Sequence, residues 1–532
     1  MRLRYQYAIQ AGLIAMLAAA LYVPYLRNPP VFDDRIFFGG QYFAQYATTP
    51  FGLDLRHPPY FTLAFTEVVW SRIEAHRLWS LAFHIACALA LYRLLLHLLR
   101  RESSWLALLG AAVFAVHPVG VYGAGYLVQR SILLATLFSL LSLWLFVRGL
   151  SSGRMPDALS AALMYWLAIL SKEHAIFLPA VALLAIPIAA GDRRFAMRHA
   201  AVYLLACAPA AALILLRAKW LIGSAYEPAF EAVTAQIQGE VAVDVAGSPW
   251  LASAVTQMGL FFKYLALWLA PSTANMSIDL RVDFASASSA GWIALKLAAF
   301  AGYALCGFML LRRGGRLAVI GFGMLYAWIL FLVELTSVRF QEPFVLYRSY
   351  LWAPGIIIAL TAALSYLPRK LALGLLLAAL PVLLVQARDR LETFSSPVAL
   401  WEDAAAKLPA HAIPGGYRTL FQLGREFLYS DQADKAIATA NRCMAEYPTT
   451  PQCYLARGSI HLYLEQYEQA LPFLTRAVQL DPASGIAHHN RGLALEKLGR
   501  RGEAVTEYRE AARLNFAGGK YRLTRSAAPP RD

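Results

Sequence analysis

Charge is what this chain has least of. Of its 532 residues only 15% are Asp, Glu, Lys or Arg, where a soluble chain carries about 25%, and 59% are hydrophobic. That balance excludes a wholly soluble protein. Acids are scarcer than bases, 33 against 48, which leaves a formal net charge of +15. Such an excess could point to nucleic acid, but many of the Arg and Lys stand in short clusters beside apolar segments ("MRLR", "LLRRES", "GDRRFAMRH", "LRRGGR", "LPRK"). That distribution is the positive-inside signature of a membrane protein, so no nucleic-acid partner is expected. Cysteine is sparse too. Of five, Cys87, Cys207 and Cys306 fall in or beside apolar runs, where they act as small hydrophobes, and Cys443 and Cys453 stand in the polar C-terminal part.

What the chain has in quantity is long apolar runs. Matched against a span of about 20 residues, they give about eleven candidate membrane helices near 8–26, 78–99, 104–119, 131–148, 158–172, 174–190, 199–220, 291–311, 317–337, 350–366 and 370–387. The first has the basic start and small residues of a signal peptide, but the many runs behind it make it a first membrane helix. One further run, Met258 to Pro271, is ambiguous. The clusters at Arg100-Arg101, Arg193-Arg194 with Arg198, Arg312-Arg313 with Arg316, and Arg369-Lys370 all fall on the cytoplasmic side only if that run does not cross. It is therefore expected to be interfacial or re-entrant, with its Trp, Tyr and Lys at headgroup level. The expected topology is a multi-pass inner-membrane protein with a cytoplasmic N-terminus and everything after about residue 388 on the periplasmic side.

That C-terminal part repeats itself. Gly424, Gly458 and Gly492 recur at intervals of 34, as do Ala436, Ala470 and Ala504, and Pro448 and Pro482. A 34-residue period with Gly, Ala and Pro at these offsets is the tetratricopeptide pattern. Small residues let paired helices cross closely, and the proline ends the second helix. Phe516 stands where the third repeat would carry its proline. The expected fold class is all-α: a polytopic domain over 1–390, a helical junction over 391–416, repeats over 417–450, 451–484 and 485–518, and a basic, disordered tail over 519–532. In the repeat register Cys443 ends one helix and Cys453 begins the next, so a disulfide is permitted, and so are two buried free thiols replacing alanine.

Under this topology 27–76 is the first external loop, and "RNPPVFDDRIFFGG" sets two adjacent acids, Asp33 and Asp34, beside the membrane. The same loop carries Arg56 and His57. Further external tips carry His117, Gln129 and Arg130, then Lys172, Glu173 and His174, then Arg339, Glu342, Tyr347, Arg348 and Tyr350. Ionisable groups at such depth are costly and are functional candidates. Their gathering suits transfer of a sugar from a polyprenyl phosphate to a hydroxyl. The leaving phosphate needs a cation, for which Arg130, Lys172 and Arg348 are candidates, and one carboxylate suffices to take the acceptor's proton. Adjacent residues diverge on a helix or strand, so one acid is expected to be the base and its neighbour to orient the loop or a basic residue.

The stretches "VFDDRIFF", "FAVHPVGVYGAGYLVQRSILLATLF", "LSKEHAIFLP", "YLALWLAPSTANMSIDL" and "YRSYLWAPG", followed by the repeats, resemble the transmembrane and tetratricopeptide-repeat O-mannosyltransferases and their bacterial relatives, of the GT-C class of membrane glycosyltransferases. The resemblance implies inverting transfer of a sugar from a polyprenyl monophosphate to Ser or Thr of an extracytoplasmic protein, with Asp33 and Asp34 catalytic. It implies donor phosphate or lipid-sugar binding by Arg130, Lys172, Arg348, Gln129, His117, Glu173 and Tyr350. Arg56 and His57 would stand on the acceptor side, with the repeats helping to hold the acceptor. The acid usual a few positions after His-Pro is missing, with Tyr122 and Gly123 nearby, and Arg56-His57-Pro58 stands where Tyr-Arg-Pro is commoner.

The same residues admit plainer roles. Asp33 and Asp34 fit helix caps, and His117 before Pro118 fits a helix end. Lys172 with Glu173, Arg348 and Tyr350 fit interface anchors. Two other functions compete: an inactive membrane scaffold that organises an envelope complex through its repeats, and a flippase for lipid-linked sugar, which should show mid-span charges or paired broken helices. Neither a cofactor nor a divalent metal is expected, although adjacent carboxylates can hold a cation.

Overall fold

The computed structural model describes residues 2–38, 44–99, 104–218, 223–224, 237, 248–284 and 289–526. The Arg100-Arg101 cluster lies outside the described residues, as does most of the 219–247 segment. The described chain is helical, with one isolated antiparallel bridge between Leu280 and Phe344. It divides into two compact units, Met1–Pro397 and Val398–Asp532.

In the first unit apolar helices occupy all eleven expected positions, but they are not eleven equal spans. Among the described residues seven are long and apolar enough to cross a membrane, or eight if the bent pair Ser104–Val116 and Pro118–Ala124 is one span. The expected spans at 158–172, 174–190 and 350–366 become the shorter helices Pro156–Ser171, Glu173–Leu183 and Ala353–Leu364. The last has 12 residues and rises only about 18 Å against a hydrocarbon core of about 30 Å. Its predicted start is taken by a tighter 3-10 turn, Leu346–Leu351. The run at 174–190 is interrupted between Leu183 and Ile186, with prolines at 179 and 187.

The ambiguous run belongs to a 21-residue helix, Pro249–Leu269, that packs into the unit. Its Tyr264 and Trp268 are buried. They lie one turn apart on the inner face, where Tyr264 Oη donates to the Val345 carbonyl at 2.9 Å and Trp268 Nε1 donates to Ser349 Oγ at 2.9 Å. Only Lys263 of the expected trio faces outward.

One close helix crossing joins Gly315–Phe331 and Ala353–Leu364. A Cβ on Gly323 would sit 2.4 Å from the Gly355 carbonyl oxygen, and one on Gly355 would sit 2.6 Å from that of Gly323. Backbones this close exclude any side chain at the crossing.

The second unit holds the three predicted helix pairs: Tyr417–Tyr429 with Ala433–Glu446, Pro451–Tyr463 with Tyr467–Leu480, and Gly485–Lys497 with Arg501–Arg513. Ala436, Ala470 and Ala504 are buried at the crossings. At Gly458 a Cβ would come 2.6 Å from the Leu474 side chain, which is why the repeat keeps glycine there. The tail departs from expectation: Ala517–Ser526 is a further helix rather than the start of a disordered segment. Cys443 and Cys453, both buried, are joined by a disulfide with Cα atoms 5.4 Å apart, inside the bridging range of about 4.4–6.8 Å. The bridge fastens the end of one repeat to the start of the next.

Two outcomes follow from this packing. Gly323→Leu abolishes the monodisperse peak of detergent-solubilised protein in size-exclusion chromatography. Thiol alkylation of the unreduced full chain followed by peptide mapping yields a linked Cys443–Cys453 peptide.

Candidate active site

The segment between the first helix and Asp34 has an unusual need for hydrogen-bond donors. Pro29 and Pro30 bring carbonyls but no N–H groups, and buried carbonyls require partners. Arg77, at the start of Ile73–Leu98, meets that need. Its Nε donates to the Asn28 carbonyl at 2.7 Å, its Nη2 to that of Pro29 at 2.7 Å, and its Nη1 to that of Gly125 at 2.8 Å. Asn28 Nδ2 in turn donates to the Leu391 carbonyl at 3.0 Å. Three distant parts of the chain are thereby tied to the approach to the acidic pair.

Asp34 closes the knot. Its carboxylate, fully buried, accepts the Val31 N–H on Oδ2 at 3.3 Å and the Val128 N–H on Oδ1 at 2.9 Å. Burial pushes its pKa up to about 6, against the opposing pull of Arg77 and the backbone amides. Phe32, just before the pair, has φ 49°, a left-handed conformation that costs a non-glycine residue about 1–3 kcal/mol. Asp33 is half-buried, and its N–H donates to Tyr126 Oη at 3.3 Å.

From Asp33 a wall of aromatic and charged groups continues. The Tyr126 ring packs between Phe32 at 6.3 Å and Tyr347 at 6.2 Å between centroids. Burial, and then the two aspartates, hold the Tyr126 hydroxyl well above its usual pKa, so it stays protonated. Tyr347 Oη reaches Glu342 Oε2 at 3.5 Å. Arg348 is buried and pairs through Nη2 with the same Glu342 oxygen at 3.0 Å and through Nη1 with the Glu342 carbonyl at 3.1 Å.

A second chain of charges reaches Arg348 from the other direction. Arg56 Nη2 stands 3.1 Å from Glu173 Oε1, which lies 3.4 Å from His174 Nδ1. His174 Nε2 lies 3.3 Å from Glu334 Oε1, and Glu334 Oε2 faces Arg339 Nε at 3.4 Å and Arg348 Nη1 at 3.5 Å. Glu173, His174, Glu334, Arg339 and Arg348 are all buried. Burial alone would raise the Glu173 pKa, but Arg56, His174 and Lys172 outweigh it and hold the carboxyl well below the usual range.

The structure thus brings Asp33, Asp34, Arg56, Glu173 and Arg348 of the predicted residues into two linked groups, with Lys172 buried beside Glu173. The others take different places. Arg130 is enclosed, donating from Nη2 to the His76 carbonyl at 2.8 Å with Thr62 and Thr66 hydroxyls at 3.5 Å, so it locks helices rather than facing a ligand. Gln129 is buried next to it. His117 accepts the Val119 N–H at 3.3 Å as a cap and stacks on Trp268 at 4.2 Å. Tyr350, expected at the donor, lies in the core with its hydroxyl 2.6 Å from His84 Nδ1. His57 donates from Nε2 to the Thr49 carbonyl at 2.7 Å and folds its own loop.

Sequence reasoning passed over Arg77, Tyr126 and Glu334. Glu334 left a signal, being the one charged residue between Leu317 and Val338. Arg77 and Tyr126 left none. Among the described residues no group of three or more His, Cys, Asp or Glu side chains gathers as a metal site would.

Residues 57–220 match the family described as dolichyl-phosphate-mannose-protein mannosyltransferase, and residues 451–484 and 486–517 match the tetratricopeptide repeat. The matched membrane segment begins after the acidic pair and ends before Arg348. No curated protein matches. Among solved structures, the Archaeoglobus fulgidus oligosaccharyltransferase in the apo form is similar at 14% identity with a TM-score of 0.45, over 79% of this chain and 60% of that one. The same organism's oligosaccharyltransferase AglB, in complex with an inhibitory peptide and a dolichol-phosphate, is similar at 13% identity with a TM-score of 0.40, over 81% of this chain and 59% of that one. This chain therefore spans about 60% of the archaeal enzyme's length. The second tetratricopeptide domain of Spaghetti (RPAP3), bound to an HSP90 peptide, matches 18% of this chain and 91% of its own at 24% identity and a TM-score of 0.18.

The burial of Asp34 has a pH signature. With its folded pKa at about 6, above the ordinary 3.8, the native state holds its proton more tightly than the unfolded chain. Asp34 therefore adds stability below pH about 4 that is lost as pH rises through about 6. The melting temperature of the wild type, relative to that of Asp34→Asn, declines over that window and is level above it.

Proposed function

We propose that this chain is an integral-membrane glycosyltransferase that moves a sugar from a polyprenyl phosphate to a Ser or Thr hydroxyl of an extracytoplasmic protein, with Asp33 as the base. The observation that carries this reading is the division of labour in the acidic pair: Asp34 is buried and held by two backbone amides, while Asp33 is half-buried. The match of residues 57–220 to a family of lipid-phosphate-dependent mannosyltransferases supports the donor class.

In this mechanism the acceptor hydroxyl attacks the anomeric carbon, its proton passes to an Asp33 oxygen, and the bond from that carbon to the phosphate oxygen breaks. The polyprenyl phosphate leaves with the electron pair, and the sugar inverts. Because the leaving group is already a stable anion, a cation is needed and a general acid is not. Arg348 is the cation on the Tyr126–Tyr347 wall, and the donor phosphate competes with Glu342 for it. Asp34, engaged by amides on both oxygens, is poorly placed to share a metal with Asp33. Tyr126, a protonated hydroxyl at the Asp33 amide, orients the base.

The clustering of Arg and Lys beside the apolar runs supports an extracytoplasmic side for the acidic loop and the repeats. The Cys443–Cys453 bridge agrees, since such bonds persist in oxidising compartments. The repeats then serve to hold the acceptor polypeptide. A scaffold without catalysis draws on one observation, that Arg348 and Glu173 are already engaged in ion pairs.

Asp33→Asn separates the readings. It keeps size and removes proton affinity, so the rate of transfer to a Ser/Thr peptide falls by about 10²–10⁴ with the folded yield unchanged. Full activity in Asp33→Asn overturns the assignment of the base, and a wild type that transfers nothing leaves the scaffold.

A further inference from the structure

A crevice of about 340 Å³ opens between the first span, Tyr5–Tyr25, and the helix Arg369–Thr393. Its volume lies at the lower end of the range for small-molecule sites, about 300–1,000 Å³. Leu17, Leu21 and Leu384 line its apolar part, and Ala20 and Val385, both exposed, border its opening. Both helices are long and apolar enough to cross a membrane, and most of each lies outside the core of the unit. The crevice therefore opens toward lipid, and what fills it comes from the bilayer.

One end of the crevice is polar. Tyr25 and Arg388 complete its lining, Tyr25 at the end of its span and Arg388 five residues before the end of its helix, a level at which Tyr and Arg meet lipid headgroups. Arg388 Nε lies 3.3 Å from Glu392 Oε1, and Tyr25 Oη donates to the same oxygen at 3.2 Å. The mouth thus carries a cation and an anion about one helical turn apart. Their side chains are 72% and 59% exposed, and so exposed a pair adds little stability, so a ligand can engage both members at small cost. A headgroup that complements them bears both signs, a phosphate for Arg388 and an N–H-bearing cation for Glu392. A wholly anionic head, that of a polyprenyl monophosphate included, would set its phosphate beside the Glu392 carboxylate with nothing to offset it. A quaternary choline head has no N–H to donate to that carboxylate.

We propose that this crevice binds one aminophospholipid, with an acyl chain against Leu17, Leu21 and Leu384, its phosphate on Arg388 and its primary ammonium on Glu392. The site is separate from the proposed sugar transfer and does not depend on it. It also adjoins the candidate site. Asn28 Nδ2 donates to the carbonyl of Leu391, the residue before Glu392, and the Asn28 carbonyl accepts from Arg77 in the knot around Asp34. A lipid held at the mouth therefore braces the segment that leads to the acidic pair.

The test is titration of the full chain in detergent micelles with phosphatidylethanolamine, phosphatidylcholine or phosphatidylglycerol of identical acyl chains, read by native mass spectrometry. The wild type binds one phosphatidylethanolamine in preference to the other two. Arg388→Gln weakens that binding about fivefold, the worth of one basic residue at a lipid surface. Glu392→Gln removes the preference for phosphatidylethanolamine over phosphatidylglycerol. Ala20→Trp, which fills the crevice from its exposed edge and leaves both charges in place, weakens all three lipids. Equal binding of the three lipids by the wild type overturns the proposal, as does unchanged phosphatidylethanolamine affinity in Arg388→Gln or in Ala20→Trp. Displacement of phosphatidylethanolamine by an equimolar polyprenyl monophosphate also overturns it and assigns the crevice to that lipid. Sugar transfer is not read in this experiment, so its outcome leaves the proposed function where it stood.

Discussion

Everything at the candidate site depends on one buried carboxylate. Asp34 accepts two backbone amides inside the membrane unit, and Arg77 beside it gathers three carbonyls from Asn28, Pro29 and Gly125. Burying an ionisable acid is costly, and that cost appears as the raised pKa of Asp34. In return the loop gains one conformation. The left-handed turn at Phe32, itself unfavourable, persists because the residues on both sides are held so firmly. Asp33 sits next to that anchored residue, half-buried, with its N–H on the Tyr126 hydroxyl.

The second constraint is the largely buried run of polar and ionic side chains from Arg56 through Glu173, His174 and Glu334 to Arg348. Removing one member of such a run strands its partner in a low-dielectric interior, which costs about 3–5 kcal/mol. The run therefore fixes the first loop, the tip at residues 172–174 and the segment before Arg348 relative to one another. In the proposed reaction, a phosphate arriving at Arg348 would meet a guanidinium already oriented by Glu334 and Glu342, and such preorganisation lowers the cost of binding.

Much of this was legible in the sequence, for stated reasons. Tetratricopeptide helices follow from a 34-residue period whose small residues have no alternative at a close crossing, as Gly458 against Leu474 shows. The acidic pair stood out because two carboxylates beside an apolar run demand an explanation, whereas the Val128 amide that helps to hold Asp34 lies far along the chain. Span number was less so, because hydropathy counts apolar residues without seeing the breaks at Leu346–Leu351 and after Leu183. The contacts of Arg130 and Tyr350 were hidden for a different reason. A polar residue at a helix end looks the same in sequence whether it faces a ligand or a backbone carbonyl. Arg77 and Tyr126 matter only through partners 48 and 93 residues away, at Gly125 and Asp33, and no local pattern announces such pairings.

The account stands or falls on whether a sugar reaches protein. Intact-mass analysis of the periplasmic proteins of cells with and without this chain tests that directly. The account predicts a recurring increment, of hexose or pentose size, on at least one protein only when the chain is present with Asp33 intact. Identical masses in both samples, under conditions where the chain is folded and in the membrane, would contradict it.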